Sequence, residues 1–180
     1  MDESFDIAQA IETLLDRHGG LAASYGISEA VARAQGYAGP MRRIPRDEAA
    51  RIYLRLYWLR PRFDEIARRS ARLAAKLLNA GAKLGPAVAA TFLQRVLTAL
   101  NRNGNDYPDM VPDGRIGERT LAALDAFLAI RGTASGEAVL LRAFDAVTGE
   151  RCVRLAERRP SNEALLYDWL ATAPSDRGDS

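Results

Sequence analysis

The chain is poor in the residues that staple or metallate small proteins: among its 180 residues there are one cysteine, one histidine and two tryptophans. A lone thiol excludes an internal disulfide and a cysteine-rich zinc site. Cys152 sits inside the apolar run from Phe144 to Leu155 and is expected to be a small buried side chain. No Cys/His pair stands near it, so neither metal nor cofactor is expected. No apolar run approaches the ~20 residues that span a bilayer, so membrane insertion is not expected. The start Met1-Asp2-Glu3-Ser4 is acidic and polar where a secretory signal needs a basic start and an apolar core, so synthesis as a cytoplasmic product is expected. Charge of one sign is also missing. Lys and Arg number 25 against 23 Asp and Glu, and the net charge is +2. The basic runs Met41-Arg42-Arg43, Arg68-Arg69 and Arg158-Arg159 are short and dispersed, so no nucleic-acid partner is expected.

An apolar fraction of 48% over this length suffices for a core without staples, in one domain or two closely packed parts. Sustained alternation of apolar and polar residues is absent, and the helical period recurs. Ile7, Ile11, Leu14 and Leu15 predict a helix over 5–18, whose stripe His18 continues inward. A strand-like piece follows at 21–27, then a helix over 28–34 capped by Ser28. The glycines and prolines of 35–45 predict a loop. Helices are expected at 45–58 and, after Pro61, at 63–78. Asn79 to Pro86 reads as a link, with Pro86 in the first turn of the next helix. Val88, Phe92, Leu93, Val96, Leu97 and Leu100 mark that helix, and a polar loop follows at 101–114. Further helices are predicted at 116–130, at 137–156 after a turn over Gly132 to Gly136, and at 161–170 with Ser161 as cap. The tail 173–180 is expected to be disordered. The fold class is all-α, with at most a minimal β element near 21–27.

Few groups carry chemistry. Asn101, Asn103 and Asn105 alternate as calcium ligands do, but Asp106 occupies the tight-turn glycine position and Pro112 that of the bidentate glutamate. His18 lies where the first helix meets Gly19-Gly20. A histidine there is a candidate acid or ligand contact, and equally a cap favoured by the helix dipole. Glu12 and Asp16 lie one turn apart off the apolar stripe, as solvated charges or as an acid pair. Tyr53, Tyr57 and Trp58 read as core or as the wall of a sugar groove.

The order of short motifs adds to this. His18-Gly19-Gly20, then Ser24-Tyr25-Gly26-Ile27-Ser28, Arg46-Asp47-Glu48-Ala49-Ala50-Arg51-Ile52-Tyr53 with Tyr57-Trp58, Asn79-Ala80-Gly81, Leu93-Gln94, Asp113-Gly114-Arg115-Ile116-Gly117 with Thr120-Leu121, and Leu155 to Pro160 leading to Trp169-Leu170 stand collinearly. In this the chain resembles glycoside hydrolase family 108, the N-acetylmuramidases of phage endolysins and of proteins once labelled secretion activators, with their C-terminal peptidoglycan-binding domain. The resemblance implies a lysozyme-like muramidase part over 1–72 and a peptidoglycan-binding-like part over 73–172. It also implies peptidoglycan glycan strands as partner, and substrate contacts at Ser24, Tyr25, Tyr53, Tyr57 and Asn79. It permits export to the periplasm or cell wall by a holin or a secretion system.

The departure falls on the site. Where members carry the catalytic glutamate, this chain has His18, and the acidic loop that usually follows is cut to Gly19 to Ser24. Glycosidic cleavage needs a neutral acid and usually a second carboxylate. An imidazole with an ordinary pKa of ~6.5 is mostly deprotonated at neutral pH, and when charged it repels an oxocarbenium-like transition state. Three readings follow. The protein is a muramidase with lost or weakened catalysis that binds peptidoglycan or a protein partner in the old cleft. Alternatively it is an active hydrolase with relocated acids among Glu12, Asp16 and Glu29, or a structural or secretion-associated protein that has kept only the fold.

Overall fold

The computed structural model describes residues 6–19 and 24–171, and every side chain among these except that of His18. The described residues contain helices and no strand, so the fold is all-α. Of the strand-like piece expected at 21–27, residues 21–23 lie outside the described residues and 24–26 form a turn. The tail expected to be disordered also lies outside them. The chain divides into two compact units, residues 1–60 and 61–180.

In the first unit, Ile11, Leu14 and Leu15 bury the stripe of α1 (Ile7–Gly19), which packs on α3 (Arg46–Leu54). Asp6 starts α1, its carboxylate accepting from Gln9 N at 3.1 Å. Ser28 caps α2 (Glu29–Ala34) as expected, accepting from Val31 N. The loop over 35–45 contains a single 3-10 turn, Met41–Arg43. The helix expected to run to Trp58 changes character: α3 ends at Leu54 and Arg55–Leu59 forms a π-helical turn, closed by Arg60 N donating to Arg55 O at 2.9 Å. Periodicity does not separate the two, because a π turn inserts one residue without interrupting the apolar run.

The second unit holds α4 (Phe63–Ala67), α5 (Ala71–Leu84), α6 (Pro86–Leu100), α7 (Glu118–Arg131), α8 (Thr133–Glu157) and α9 (Pro160–Ala171). α8 packs on α5, α6, α7 and α9, and buries Leu140, Leu141, Phe144 and Cys152. Four expectations are corrected. The single helix over 63–78 is two helices, because Ser70 adopts an extended backbone and its Oγ accepts from Leu73 N at 3.0 Å to cap α5. The link placed at Asn79 to Pro86 is helical as far as Leu84, and the break is at Gly85, whose φ of +98° suits glycine. Gly81 lies inside the helix, where a Cβ would come within 3.4 Å of Phe63 and Pro86. The turn over 132–136 is confined to Gly132, so α8 begins at Thr133. Ser161 is not a cap, because Pro160 already occupies the first turn of α9.

Between α6 and α7 the polar loop is held by two buried side chains. Asn101 donates to Tyr107 O and to the Asp109 carboxylate, and accepts from Gly104 N. Gln94 Nε2 faces the Asp113 carboxylate at 2.8 Å, Arg115 O at 2.9 Å and Thr120 Oγ1 at 3.2 Å, while its Oε1 accepts from Gly114 N at 3.0 Å. Its hydrogen bond, followed by that from Arg115 N, holds Asp113 below the ordinary carboxylate pKa of 3.8. Arg102 does the same to Asp106, aided by Arg131. The loop that invited a calcium reading thus spends its amide and carboxylate groups on its own backbone and on neighbouring arginines.

Two outcomes are expected. Ser70→Ala removes the α5 cap and the 2.5 Å bond from Ser70 Oγ to Glu137, and should lower unfolding free energy by about 1–2 kcal/mol in urea titrations; a change within ~0.3 kcal/mol contradicts the cap. Because Asp106 and Asp113 have folded pKa values below their unfolded ones, their stabilisation is complete above about pH 4 and is lost as pH falls through the folded values. Asp113→Asn should therefore flatten the acid side of the stability profile, and parallel profiles for variant and parent would contradict the assignment.

Candidate functional site

In the first unit the candidate residues meet around an arginine that sequence reasoning passed over. One helical turn separates Glu12 from Asp16, so both carboxylates project from one side of α1. Arg46, the first residue of α3, reaches both. Its Nε donates to Glu12 Oε2 at 2.7 Å and its terminal nitrogen to Asp16 Oδ1 at 2.6 Å. The same nitrogen lies 2.6 Å from Glu12 Oε2. The hydrogen bonds that it donates, first to Asp16 and then to Glu12, raise the guanidinium pKa further above its ordinary value. The only advance signal for Arg46 was its place at the head of the motif that opens the central helix.

Arg46 also lies over the ring of Tyr25, 6.0 Å from its centroid. Tyr25 and Gly26 have φ of +52° and +71°, and Ile27 N donates to Ser24 O at 2.9 Å. Two positive φ values at the centre of a hydrogen-bonded turn are those of type I′. Tyrosine is an unusual occupant of that conformation, and two contacts hold it there: Arg46 over the ring, and the Tyr53 hydroxyl donating to Tyr25 O at 2.9 Å. Tyr53 is buried, which pushes its phenol up to about 12. Its ring stacks on Tyr57 with centroids 5.2 Å apart. Trp58 is buried in the core.

The structure thus brings Glu12, Asp16, Tyr25, Tyr53 and Tyr57 into one linked array, with Ser24 opening the turn. Glu29 stands elsewhere on α2. It pairs with Arg33 at 2.9 Å, and Arg33 also donates to Tyr37 O and Gly39 O, so this carboxylate helps to fasten a loop. The backbone of His18 belongs to the last turn of α1. The expectation that its ring faces inward lies outside the described residues. Asn79 belongs to the second unit, where its side chain donates to Ala75 O and lines a cavity between α5, α8 and α9.

A site that performs acid catalysis holds a carboxyl group as a proton donor, in an environment that disfavours its charge. The array on α1 has the opposite character. Both carboxylates accept charge-assisted hydrogen bonds from a guanidinium, and both remain accessible to water. Its chemistry suits shape and hydrogen bonding, with tyrosine faces and hydroxyls. Among the described residues no cluster of His, Cys, Asp and Glu is arranged to hold a metal ion, and no helix is long and apolar enough to cross a membrane.

Comparison with known families gives two adjoining matches. Residues 15–85 match the model described as Glycosyl hydrolase 108, and residues 88–173 match the one described as Predicted Peptidoglycan domain. The junction falls at Gly85 and Pro86, where α5 gives way to α6. No curated protein matches the chain. Position 18 and the Glu12–Arg46–Tyr25–Tyr53 array lie within or beside the first match, and the loop held by Gln94 lies within the second. A glycosyl hydrolase 108 region followed by a peptidoglycan domain makes this chain a peptidoglycan-directed, lysozyme-like protein.

Proposed function

We propose that this protein binds peptidoglycan with its muramidase chemistry lost or weakened. The observation that carries the reading is the double engagement of Arg46. The acids of α1 nearest in sequence to position 18, Glu12 and Asp16, both accept from it. A general acid must present a proton, whereas an oxygen that accepts from a guanidinium presents a lone pair. Glu29, the remaining relocated candidate, is occupied by Arg33. Position 18 itself holds an imidazole where the family resemblance expects a glutamate. A charged imidazole adds to the positive charge that develops on the sugar, and a neutral one has no proton to give the leaving oxygen from its acceptor nitrogen.

What remains suits recognition. Tyrosine rings at Tyr25 and Tyr57 offer faces for sugar C–H groups, and the Tyr25 turn is fixed by two independent contacts. The adjoining peptidoglycan domain gives such a protein a second hold on the same polymer, and two linked sites on one ligand raise retention without either being strong. A protein that holds the wall without cutting it has a role in targeting or in blocking access.

The test is co-sedimentation and turbidity on the same purified sacculi. The wild-type chain should pellet with sacculi at low salt while turbidity stays at the level of the protein-free control. Glu12→Gln, Asp16→Asn and Glu29→Gln should leave turbidity unchanged. Clearing by the wild type that any of the three abolishes would establish a relocated acid and overturn the reading, and failure to pellet would overturn the binding half of it.

A further inference from the structure

Beside its polar loop the second unit carries a hollow of about 560 Å³, between residues 106–110 and α7. Its floor is made of methyl groups. Arg119, Ala122, Ala123 and Ala126 recur at steps of three or four residues, which place them on one face of the helix, and the alanines leave open the space that larger side chains would fill. Met110 forms part of the wall. It also borders two further hollows, so an unbranched, flexible side chain stands where the wall has to adapt.

Most polar groups around this hollow are already engaged. The Asp106 carboxylate accepts from Arg102 and Arg131, and Tyr107, 6% exposed, donates its hydroxyl to Leu97 O at 2.8 Å. Two groups keep capacity. Asp109 accepts from Asn101 through Oδ1 at 2.6 Å, and its Oδ2 has no partner among the described residues. The guanidinium of Arg119 makes no hydrogen bond or ion pair among them. A largely apolar hollow thus offers a carboxylate oxygen from the loop and a guanidinium from α7.

That pairing complements a ligand that carries an amine and a carboxylate on a body of small apolar groups. A neutral sugar bears neither charge, and the one aromatic ring among the lining residues is the buried Tyr107, which has no open face for it. We infer that this hollow binds the peptide arm of peptidoglycan, with a free amine of the arm on Asp109, its terminal carboxylate on Arg119 and alanyl methyl groups over Ala122 and Ala126. The assignment rests on the peptidoglycan reading and adds to it that the second unit holds peptide where the first holds sugar.

Calorimetric titration of the full chain with Nα-acetyl-L-lysyl-D-alanyl-D-alanine, with its Nε-acetylated form and with its C-terminal amide tests the two contacts separately. The unblocked peptide should bind, and each block should weaken it about fivefold, the effect of losing one partly exposed charge-assisted hydrogen bond. Arg119→Met should bind acid and amide alike and still prefer the free amine. Asp109→Asn should lose the preference for the amine and keep that for the acid, and since an amide oxygen still accepts from Asn101 the loop should stay folded. Ala122→Leu keeps every charge, exchanges one good helix former for another and fills the floor. It should abolish binding, with thermal melting by circular dichroism confirming the fold. Equal binding of the three peptides, a preference that survives removal of its partner, wild-type affinity in Ala122→Leu, or displacement of the peptide by N,N′-diacetylchitobiose would overturn the assignment. Retention on sacculi without peptide binding would overturn it and leave the peptidoglycan reading intact, whereas peptide binding without retention would support the chemistry of the hollow and remove that reading.

Discussion

The candidate site of the first unit depends on the guanidinium of Arg46. It closes α1 onto the start of α3 through Glu12 and Asp16, and it covers the Tyr25 ring at the turn that follows α1. Ion pairs this open to water contribute little to folding stability. Their weight in chemistry is larger. They determine that the acidic groups beside position 18 serve as hydrogen-bond acceptors, and they hold a tyrosine in a backbone conformation that it rarely adopts alone. A cleavage site and a recognition site differ in this respect, since the first must keep one carboxyl group poorly solvated and unpaired.

The second unit depends on interior polar groups of another kind. Gln94 is 3% exposed, and its amide engages the Asp113-Gly114-Arg115 turn and Thr120 at once, so a motif that resembles a binding loop is built from inside. Gly114 fits there because of its φ of +74° and because a Cβ would lie 2.8 Å from Ala87 O. Buried amides that satisfy several partners specify a loop strongly, because breaking one bond strands the others. Lys76 is different. It is buried with a single acceptor found for it, and the space beside it is a cavity.

Much of this was legible in the sequence. The all-α class, the cap at Ser28, the helix starting at Pro86 and the order of the family motifs followed from periodicity and from residues with one dominant local use. Helix boundaries failed where two uses competed. Ser70 lies inside an apolar period that reads as continuous helix, and only its hydrogen bond to Leu73 N reveals a cap. Gly81 and Gly136 read as breaks, yet both lie inside helices, where an added Cβ would meet Phe63 and Pro86 at 3.4 Å and Arg131 at 2.8 Å. The array around Arg46 was half legible. Glu12 and Asp16 stood out as a pair one turn apart, but their partner lies 30 or more positions away in sequence, and no local pattern names it. Asn79, grouped with the tyrosines by motif order, sits in the second unit beside the lysine-lined cavity.

The central claim is that peptidoglycan recognition persists here without ordinary muramidase chemistry. Its most direct test is chromatography and mass spectrometry of the soluble products left when sacculi are incubated with the wild-type chain, with a hydrolytically active muramidase as reference. The account predicts that the protein is recovered on the sacculi and that no muropeptides bearing new reducing ends are released above the protein-free control. Release of such muropeptides by the wild-type chain would contradict it.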